Sequence, residues 1–556
     1  MNKLKIFSIA LMATATYSQA QDLDQAKKAI DAEQYEKAKT ILKSVIQTKP
    51  SNGRAAFLLG NVYLQQNIAD SAKIYFDKGL TGSDGGKLNN IGLGQIELNK
   101  GNISGAQSNF TTATKDIKKK DTEELVYVAR AYMNADTPDY KSAIATLTKA
   151  VAASPTDAQV QLALGDAYYG DKNQNDAYIA YRNAFTADNS LIRAKVQQAA
   201  LLKGARSFSE AIKGLNDVIT ANPNYGPAYR ELAETYYVWA NTEGKKKYIE
   251  YIKLARSNYE KYMAKTDYSL TKRMRMADFL ILDKDYTALE AEANKMKEID
   301  KVNPRILRYL GYSAYENNNL DVAQKSLEDF IANGKNKIIA RDYLYLGLIK
   351  IKKASPENGQ IDQTLFSAGV ADIKKAVEME ITMTNDLSDI GKKLFAEKRY
   401  REAASIFEIA ISNPDSRNYL DDINYYAILV HTINKNLETA KRDMASLKKA
   451  DDGLSLIITK YPTYQDAYYY KARINSLLEN GTEMGKNYEA YITTLTAAGP
   501  EELAKPSNKT KIIEAYNTLA ANYADKDKAK AKEYFNKTLA IDPANTYALE
   551  SLKTLK

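Results

Sequence analysis

Small residues recur at a nearly constant interval in the N-terminal half of the chain. The six positions are separated by 34, 35, 36, 34 and 34 residues: Gly60, Gly94, Ala129, Gly165, Ala199 and Ala233. A fixed period of about 20–50 residues is typical of stacked supersecondary units. Because the core of such an array grows with every added copy, 556 residues need not divide into several globular domains. The period therefore predicts a repeat protein.

The fifth copy, residues 158–189, shows what each unit contains. Its apolar residues have the three- and four-residue spacings of two amphipathic helices: Leu164, Gly165 and Tyr168, then Ala177, Tyr181 and Ala184. A polar segment rich in helix-breaking and capping residues lies between them. One hairpin of this kind cannot bury its own apolar stripe, so it must stack against copies on both sides.

This pattern resembles the tetratricopeptide repeat (TPR). The shared features are a small residue and an aromatic in the first helix (helix A), alanine, an aromatic and alanine in the second (helix B), and proline near the end. The resemblance implies an all-α fold, a right-handed α-solenoid of about 14 helical hairpins. TPR proteins have many unrelated functions, so the resemblance indicates an architecture and not an activity.

The first 20 residues have the pattern of a secretory signal peptide. Lys3 and Lys5 precede a short apolar run at 6–15, and Ser18-Gln19-Ala20 resembles a cleavage site. The apolar run is shorter than the roughly 20 residues of a transmembrane helix, and no later segment is a candidate span. We therefore predict a periplasmic protein of a Gram-negative cell, with association with the outer membrane left open.

The repeat register predicts three arrays after the signal peptide. Residues 21–266 form an N-terminal array of about seven repeats. Residues 267–383 form a middle array with an inserted loop at 354–363, and residues 384–556 form a C-terminal array with stretched repeats. The last ten or so residues, Thr546 to Leu555, read as a helix that closes the stack.

Composition argues against most enzyme chemistry. The chain has no Cys and one His, so a disulfide, a thiolate zinc site and a histidine cluster are excluded. No motif of a phosphate-binding loop, a zinc protease or a serine hydrolase occurs. The 78 basic and 69 acidic residues are interspersed, which is not typical of a nucleic-acid surface. We predict a non-enzymatic protein without cofactor or metal, and we interpret His431 as a solvated or hydrogen-bonded side chain facing the groove.

In the TPR family, the concave groove is lined by helix A residues three before, one after and four after the small residue. In this chain those offsets predict a partner-binding groove formed by Arg130, Tyr169, Arg230, Glu234, Tyr237, Arg308, Tyr312 and Tyr315. Tyr and Arg are enriched at binding hot spots. Arg at such positions favours binding over packing, because buried positions exclude Arg unless it is paired. The alternative is that these tyrosines fill gaps between neighbouring helices.

Together these observations favour an exported scaffold or adaptor that binds protein partners in the cell envelope, for assembly, secretion or surface machinery. A long array offers a large surface for an extended peptide or a helix. The alternative is an accessory protein of an envelope enzyme that binds glycan or peptidoglycan. Its basis is the abundance of Tyr, 41 residues, because aromatic rings stack on sugar faces.

Overall fold

The computed structural model describes residues 21–118, 120–301, 303–356 and 360–555. It is 78% helical, and its 30 helices pack as consecutive hairpins, without a strand in any of the described ranges. The predicted signal peptide, residues 1–20, lies outside them. The predicted all-α solenoid is confirmed.

The chain divides into two compact units, Met1–Ile299 (unit 1) and Asp300–Lys556 (unit 2). The described part of unit 1 contains eight hairpins, each made of an odd-numbered helix A and an even-numbered helix B. Their helices are α1 (21–31), α2 (Tyr35–Thr48), α3 (Gly53–Gln65), α4 (Ala69–Gly79), α5 (Gly86–Asn99), α6 (Ile103–Thr114), α7 (Glu123–Met133), α8 (Tyr140–Ala153), α9 (Ala158–Gly170), α10 (Gln174–Ala187), α11 (Ile192–Gly204), α12 (Phe208–Ala221), α13 (Gly226–Ala240), α14 (Lys245–Lys265), α15 (Leu270–Leu282) and α16 (Tyr286–Ile299).

The described part of unit 2 contains six hairpins and a closing helix, α30. Its helices are α17 (Pro304–Glu316), α18 (Leu320–Ala332), α19 (Ala340–Ala354), α20 (Gln363–Met379), α21 (Thr384–Ala396), α22 (Tyr400–Ala410), α23 (Tyr419–Asn434), α24 (Met444–Lys460), α25 (Gln465–Leu477), α26 (Gly481–Ala497), the short α27 (Pro500–Ala504), α28 (Pro506–Tyr523), α29 (Lys528–Ile541) and α30 (Thr546–Thr554). The predicted inserted loop, 354–363, falls between the end of α19 and the start of α20, and its residues 357–359 lie outside the described ranges. The fourteen hairpins of the two units agree with the number expected from the TPR pattern.

Most hairpins turn through one residue with a left-handed backbone, just before helix B. Gly101 has φ of 76° there, and eight non-glycine residues have φ between 58° and 64°: Glu33, Asn67, Lys172, Arg206, Lys284, Asn318, Lys398 and Glu479. A left-handed backbone is uncommon for residues with a side chain. It recurs here because it reverses the chain in the space between two closely packed helices.

In five of the described hairpins, a glycine of helix A lies against a large side chain of helix B. A Cβ atom added to Gly165 would lie 2.5 Å from two ring carbons of Tyr181. The same contact joins other pairs sixteen residues apart: Gly60–Phe76, Gly94–Phe110, Gly311–Leu327 and Gly391–Phe407. The large ring or branched side chain occupies the volume that a side chain on helix A would need, so the two positions depend on each other.

We expect Gly165→Leu to destabilise unit 1, because overpacking a close contact typically costs about 1–3 kcal/mol. The measurement is urea denaturation followed by circular dichroism. Gly214 in α12 is the matched control, since an added Cβ there has nothing within 4 Å. Gly214→Leu should leave the midpoint unchanged or raise it slightly. Equal midpoints for the two variants would show that the Gly165–Tyr181 contact does not limit packing.

Candidate functional site

Polar side chains link the A helices of neighbouring hairpins, and we call this set the helix-A ladder. In unit 1 its pairs are Arg130–Gln159 (3.1 Å), Asp166–Arg193 (2.9 Å), Lys203–Glu231 and Glu234–Arg275 (2.6 and 2.8 Å). In unit 2 they are Arg308–Asp342 (2.7 and 2.8 Å), Ser388–Asp422 (2.6 Å) and Arg473–Glu514 (2.6 and 2.5 Å). Each pair joins two A helices, so the ladder sets the register of one hairpin on the next.

Two of the predicted groove residues belong to one tight cluster of unit 1. Glu234 accepts hydrogen bonds from Nε and Nη2 of Arg275 on the next A helix. The same guanidinium lies 4.6 Å from the ring centroid of Tyr237, whose edge packs on Phe279 at 5.9 Å between centroids. Both residues are half-buried, and their interactions hold α13 against α15.

Arg130 and Tyr169 lie on the neighbouring A helices α7 and α9. Arg130 is half-buried, donates one hydrogen bond to Gln159 and lies 5.5 Å from the ring of Tyr127. Tyr169, near the end of α9, has 46% of its surface exposed. It is the single exposed member of the eight predicted groove residues. These two residues therefore combine a charged donor and an aromatic face on adjacent A helices.

The position four residues after the small residue forms a continuous row across unit 1. It is occupied in consecutive hairpins by Leu64, Leu98, Met133, Tyr169, Lys203 and Tyr237, all of them half-buried except the exposed Tyr169. We call the first four of these residues the apolar row, which ends at Lys203, a cation paired with Glu231. Leu64 and Leu98 were not predicted from the sequence, because the prediction rested on the enrichment of Arg and Tyr at hot spots. The constant offset from Gly60 and Gly94 would have found them.

The predicted residues of unit 2 interact with one another through a buried carboxylate. Arg308 forms two hydrogen bonds with Asp342, which has no exposed surface, and a third with the carbonyl of Lys337. Tyr312 is buried and donates to Oδ1 of Asp342 at 2.7 Å. Arg is thus compatible with a packed position here because it is paired.

Tyr315 packs beside this group. Its ring meets Tyr345 edge-on at 5.4 Å between centroids, and burial raises the pKa of its hydroxyl. Tyr312 and Tyr315 thus occupy space between neighbouring helices, which is the alternative role considered for these tyrosines. Their binding of a partner remains a prediction.

Arg230 has a partner that the repeat pattern did not suggest. It pairs with Glu33, which lies 197 residues earlier in the turn between α1 and α2. Its guanidinium carbon also lies 5.5 Å from the ring centroid of Tyr262. A residue predicted to bind another molecule thus binds a distant segment of its own chain.

His431 differs from the expectation of a solvated side chain. It is 8% exposed and its ring lies 6.4 Å from that of Tyr470. Burial, reinforced by the nearby charge of Arg473, lowers its pKa to about 4, so the ring is neutral at neutral pH. Within the described ranges no group of three or more Asp, Glu or His residues could hold a metal ion. The described helices include none long and apolar enough to cross a membrane.

The ladder contains one carboxylate without a cation. Ser388 and Asp422 occupy the positions that Arg308 and Asp342 occupy two hairpins earlier, each pair being 34 residues apart. Asp422 is fully buried, accepts one hydrogen bond from the Ser388 hydroxyl, and its Oδ2 atom has no hydrogen-bond partner in the described structure. Burial therefore raises the pKa of Asp422 to about 6.

Replacing Asp422 and Asp342 by neutral Asn should change the stability of unit 2 in opposite directions. The folded pKa of Asp422 exceeds its usual value of 3.8, so the contribution of Asp422 to stability falls as pH rises from about 4 to about 6. Because one pKa unit corresponds to about 1.4 kcal/mol, Asp422→Asn should stabilise unit 2 by roughly 2–3 kcal/mol above pH 6 and by little near pH 4. Asp342→Asn should instead destabilise it by about 1.5–3 kcal/mol, because Arg308 loses charged hydrogen bonds.

Thermal melts of both variants at pH 7.5 and pH 4.5 provide the measurement. Shifts of the two melting temperatures in the same direction at pH 7.5 would contradict this account of the ladder. Wild-type protein measured alongside corrects for the other groups that titrate between the two pH values.

Residues 29–81 match a tetratricopeptide repeat family. The matched segment contains α2 and the second hairpin, α3 and α4. A search of curated proteins found no match to this chain.

Solved structures similar to the chain include the C-terminal part of a TPR repeat-containing protein from Cytophaga hutchinsonii, with 23% identity over 50% of this chain and 98% of that one, and a TM-score of 0.32. PilF of Pseudomonas aeruginosa has 16% identity over 42% of this chain and 97% of that one, and a TM-score of 0.33. A tetratricopeptide repeat protein from Parabacteroides merdae has 14% identity over 53% of this chain and 99% of that one, and a TM-score of 0.30. TM-scores this low give no information about binding partners. The sequence match supports a tetratricopeptide repeat at residues 29–81, and the other described hairpins repeat its helix–turn–helix form.

Proposed function

We propose that this chain is a non-enzymatic scaffold or adaptor that binds protein partners on the A helices of unit 1. The observation that carries the proposal is the apolar row. Its members Leu64, Leu98, Met133 and Tyr169 lie in four consecutive hairpins, each only partly covered by the chain itself. A row of accessible apolar side chains on a rigid helical wall suits an extended peptide or an amphipathic helix.

The polar surroundings of the row support a specific contact rather than a general adhesive surface. Arg130 lies one hairpin before Tyr169, at the position three residues before Met133, and retains donors beyond its bond to Gln159. An apolar centre with Arg and Tyr is the usual composition of an energetic hot spot. In this proposal Arg130 and Tyr169 contact the partner, while Glu234 and Tyr237 hold the wall in place. The group of Arg308, Tyr312 and Tyr315 would have the same supporting role in unit 2.

The proposed setting is the cell envelope. It rests on residues 1–20, whose charged start, apolar run and small residues at 18–20 have the pattern of a cleavable export signal. Assembly, secretion or surface machinery of the periplasm would supply the partners. The glycan-binding alternative rests on the exposed ring of Tyr169, which could stack on a sugar.

Affinity capture from envelope extract, quantified by mass spectrometry, tests the protein-binding proposal. We expect Tyr169→Ala to reduce recovery of the specific partners by more than tenfold, because truncation of a hot spot typically costs about 2 kcal/mol or more. The matched control is Tyr178→Ala on helix B of the same hairpin, where the side chain is 37% exposed. This control should recover the same partners as the wild type.

Equal recovery by the two variants would remove Tyr169 and the apolar row from the binding surface. A parallel sedimentation assay with purified peptidoglycan separates the two functions. If the wild-type protein pellets with peptidoglycan, Tyr169→Ala does not, and no protein is lost in the capture experiment, the glycan-binding alternative is correct.

A further inference from the structure

The turn between α1 and α2 binds helices that are far away in the sequence. Its residues 31–36 contact α11, α13, α14 and the segment around α15, all within unit 1. The hydrogen-bonded partners are 194 to 234 residues apart. The repeat pattern requires no such contact, because stacking needs only neighbouring hairpins.

Glu33 is the centre of this contact. Its carboxylate pairs with Arg230, accepts a hydrogen bond from the Tyr262 hydroxyl at 2.6 Å, and lies 3.0 Å from Nζ of Lys272. Burial alone would raise the pKa of Glu33, but Arg230, Tyr262 and Lys272 outweigh it and hold the pKa below its usual value. The site therefore favours a charged carboxylate.

A second carboxylate enters beside the first. Asp31 accepts a hydrogen bond from the hydroxyl of Tyr225 at 3.0 Å, and Nε of Arg193 lies 3.9 Å from its Oδ1. Between the two acids, Ala32 packs in an apolar cluster with Val196 and Leu232. Burial outweighs Arg193 and Tyr225 and raises the pKa of Asp31, so Glu33 is the more firmly charged of the two acids. The segment Asp31-Ala32-Glu33 is thus held as a short acidic ligand would be, with two bound carboxyl groups and a small apolar residue between them.

Further hydrogen bonds hold the turn, two of them through its backbone. The Gln34 side chain donates to the carbonyl of Lys265 at 3.2 Å. The Asp267 amide donates to the carbonyl of Glu33 at 3.2 Å, and the Glu36 amide donates to the Asp267 carboxylate at 2.8 Å. These bonds align the segment along the end of α14, which gives the contact a defined direction in addition to its charge.

We propose that Arg193, Tyr225, Arg230, Tyr262 and Lys272 form a binding site for an acidic segment of a protein partner, and that the chain's own α1–α2 turn occupies this site. We call the five residues the acid-binding wall and the turn, residues 31–36, the acidic strap. The strap then competes with a partner segment that presents two carboxylates separated by one small residue. This inference rests on the proposed function for the role of unit 1 in partner binding.

Charge complementarity supports an exchangeable occupant. The wall contributes three cations and two phenolic donors, and the strap contributes two carboxylates. Arg230 retains 40% side-chain exposure with the strap in place, so the site reaches the surface. A segment that presents the same two carboxylates can accept every charged hydrogen bond that the strap accepts, so it can replace the strap at this site.

Distance measurements between two spin labels test the strap without any partner. The chain has no Cys, so Lys37→Cys and Lys261→Cys place unique labels on either side of the Glu33–Tyr262 contact. We expect one short, narrow distance distribution, which becomes longer and broader when Asp31→Asn and Glu33→Gln are added. The matched control is Glu479→Gln, the same substitution at the same left-handed turn position in unit 2. It should leave the distribution unchanged.

If the strap variant fails to fold, raising NaCl from 0.05 M to about 1 M on the labelled protein provides a second measurement, since the Debye length falls severalfold. Distances that stay short and narrow in 1 M NaCl or in a folded strap variant would overturn displacement of the strap. They would leave the apolar row and its partner capture untouched, which distinguishes this failure from failure of the proposed function.

A peptide of residues 27–37 with a fluorophore tests the wall. We expect it to bind the Asp31→Asn, Glu33→Gln protein at least tenfold more tightly than it binds the wild type, whose strap occupies the wall. A peptide with Asn and Gln at those two positions is the control and should bind neither protein. Equal affinity for both proteins, or binding to neither, would overturn the proposed site.

Discussion

The close approach of two helix backbones at one small residue underlies the whole structure. Gly165 against Tyr181 is the clearest case, because even one added carbon on Gly165 would fall within 2.5 Å of the ring. This contact makes the hairpin thin enough to stack, and stacking then buries the apolar faces that a single hairpin leaves open. The left-handed residue in the turn, such as Lys172, follows from the same demand for a tight reversal.

The abundance of Tyr has a structural explanation in the polar contacts between hairpins. Half-buried carboxylates there are held by a cation together with phenolic hydroxyls. Glu514 receives hydrogen bonds from Arg473, Tyr469 and Tyr488, and Glu489 receives them from Lys530, Tyr523 and Tyr534. Tyr can pack its ring in a thin core while its hydroxyl satisfies a charge, which Phe cannot do. Stacking on sugars is therefore not needed to account for Tyr usage.

The same chemistry serves two purposes in unit 1. Between neighbouring hairpins, as in Asp166 with Arg193, it sets a register that the chain connectivity already favours. Between the acidic strap and the acid-binding wall it joins segments about 200 residues apart. A long-range contact has no adjacent turn to hold it, so the acidic strap is the contact that another acidic segment could replace.

The sequence alone determined the architecture, because helix periodicity and the small–large pair are local properties that repeat. Spacing assigned Gly60, Gly94 and Gly165 to the small-residue position of the repeat, and the structure places each against a large side chain sixteen residues later. The sequence did not determine which polar residues meet. Arg230 and Arg308 occupy equivalent repeat positions, yet one pairs with Glu33 and the other with Asp342. Only tertiary structure decided this, because the partners come from other hairpins and their distance depends on how the hairpins stack.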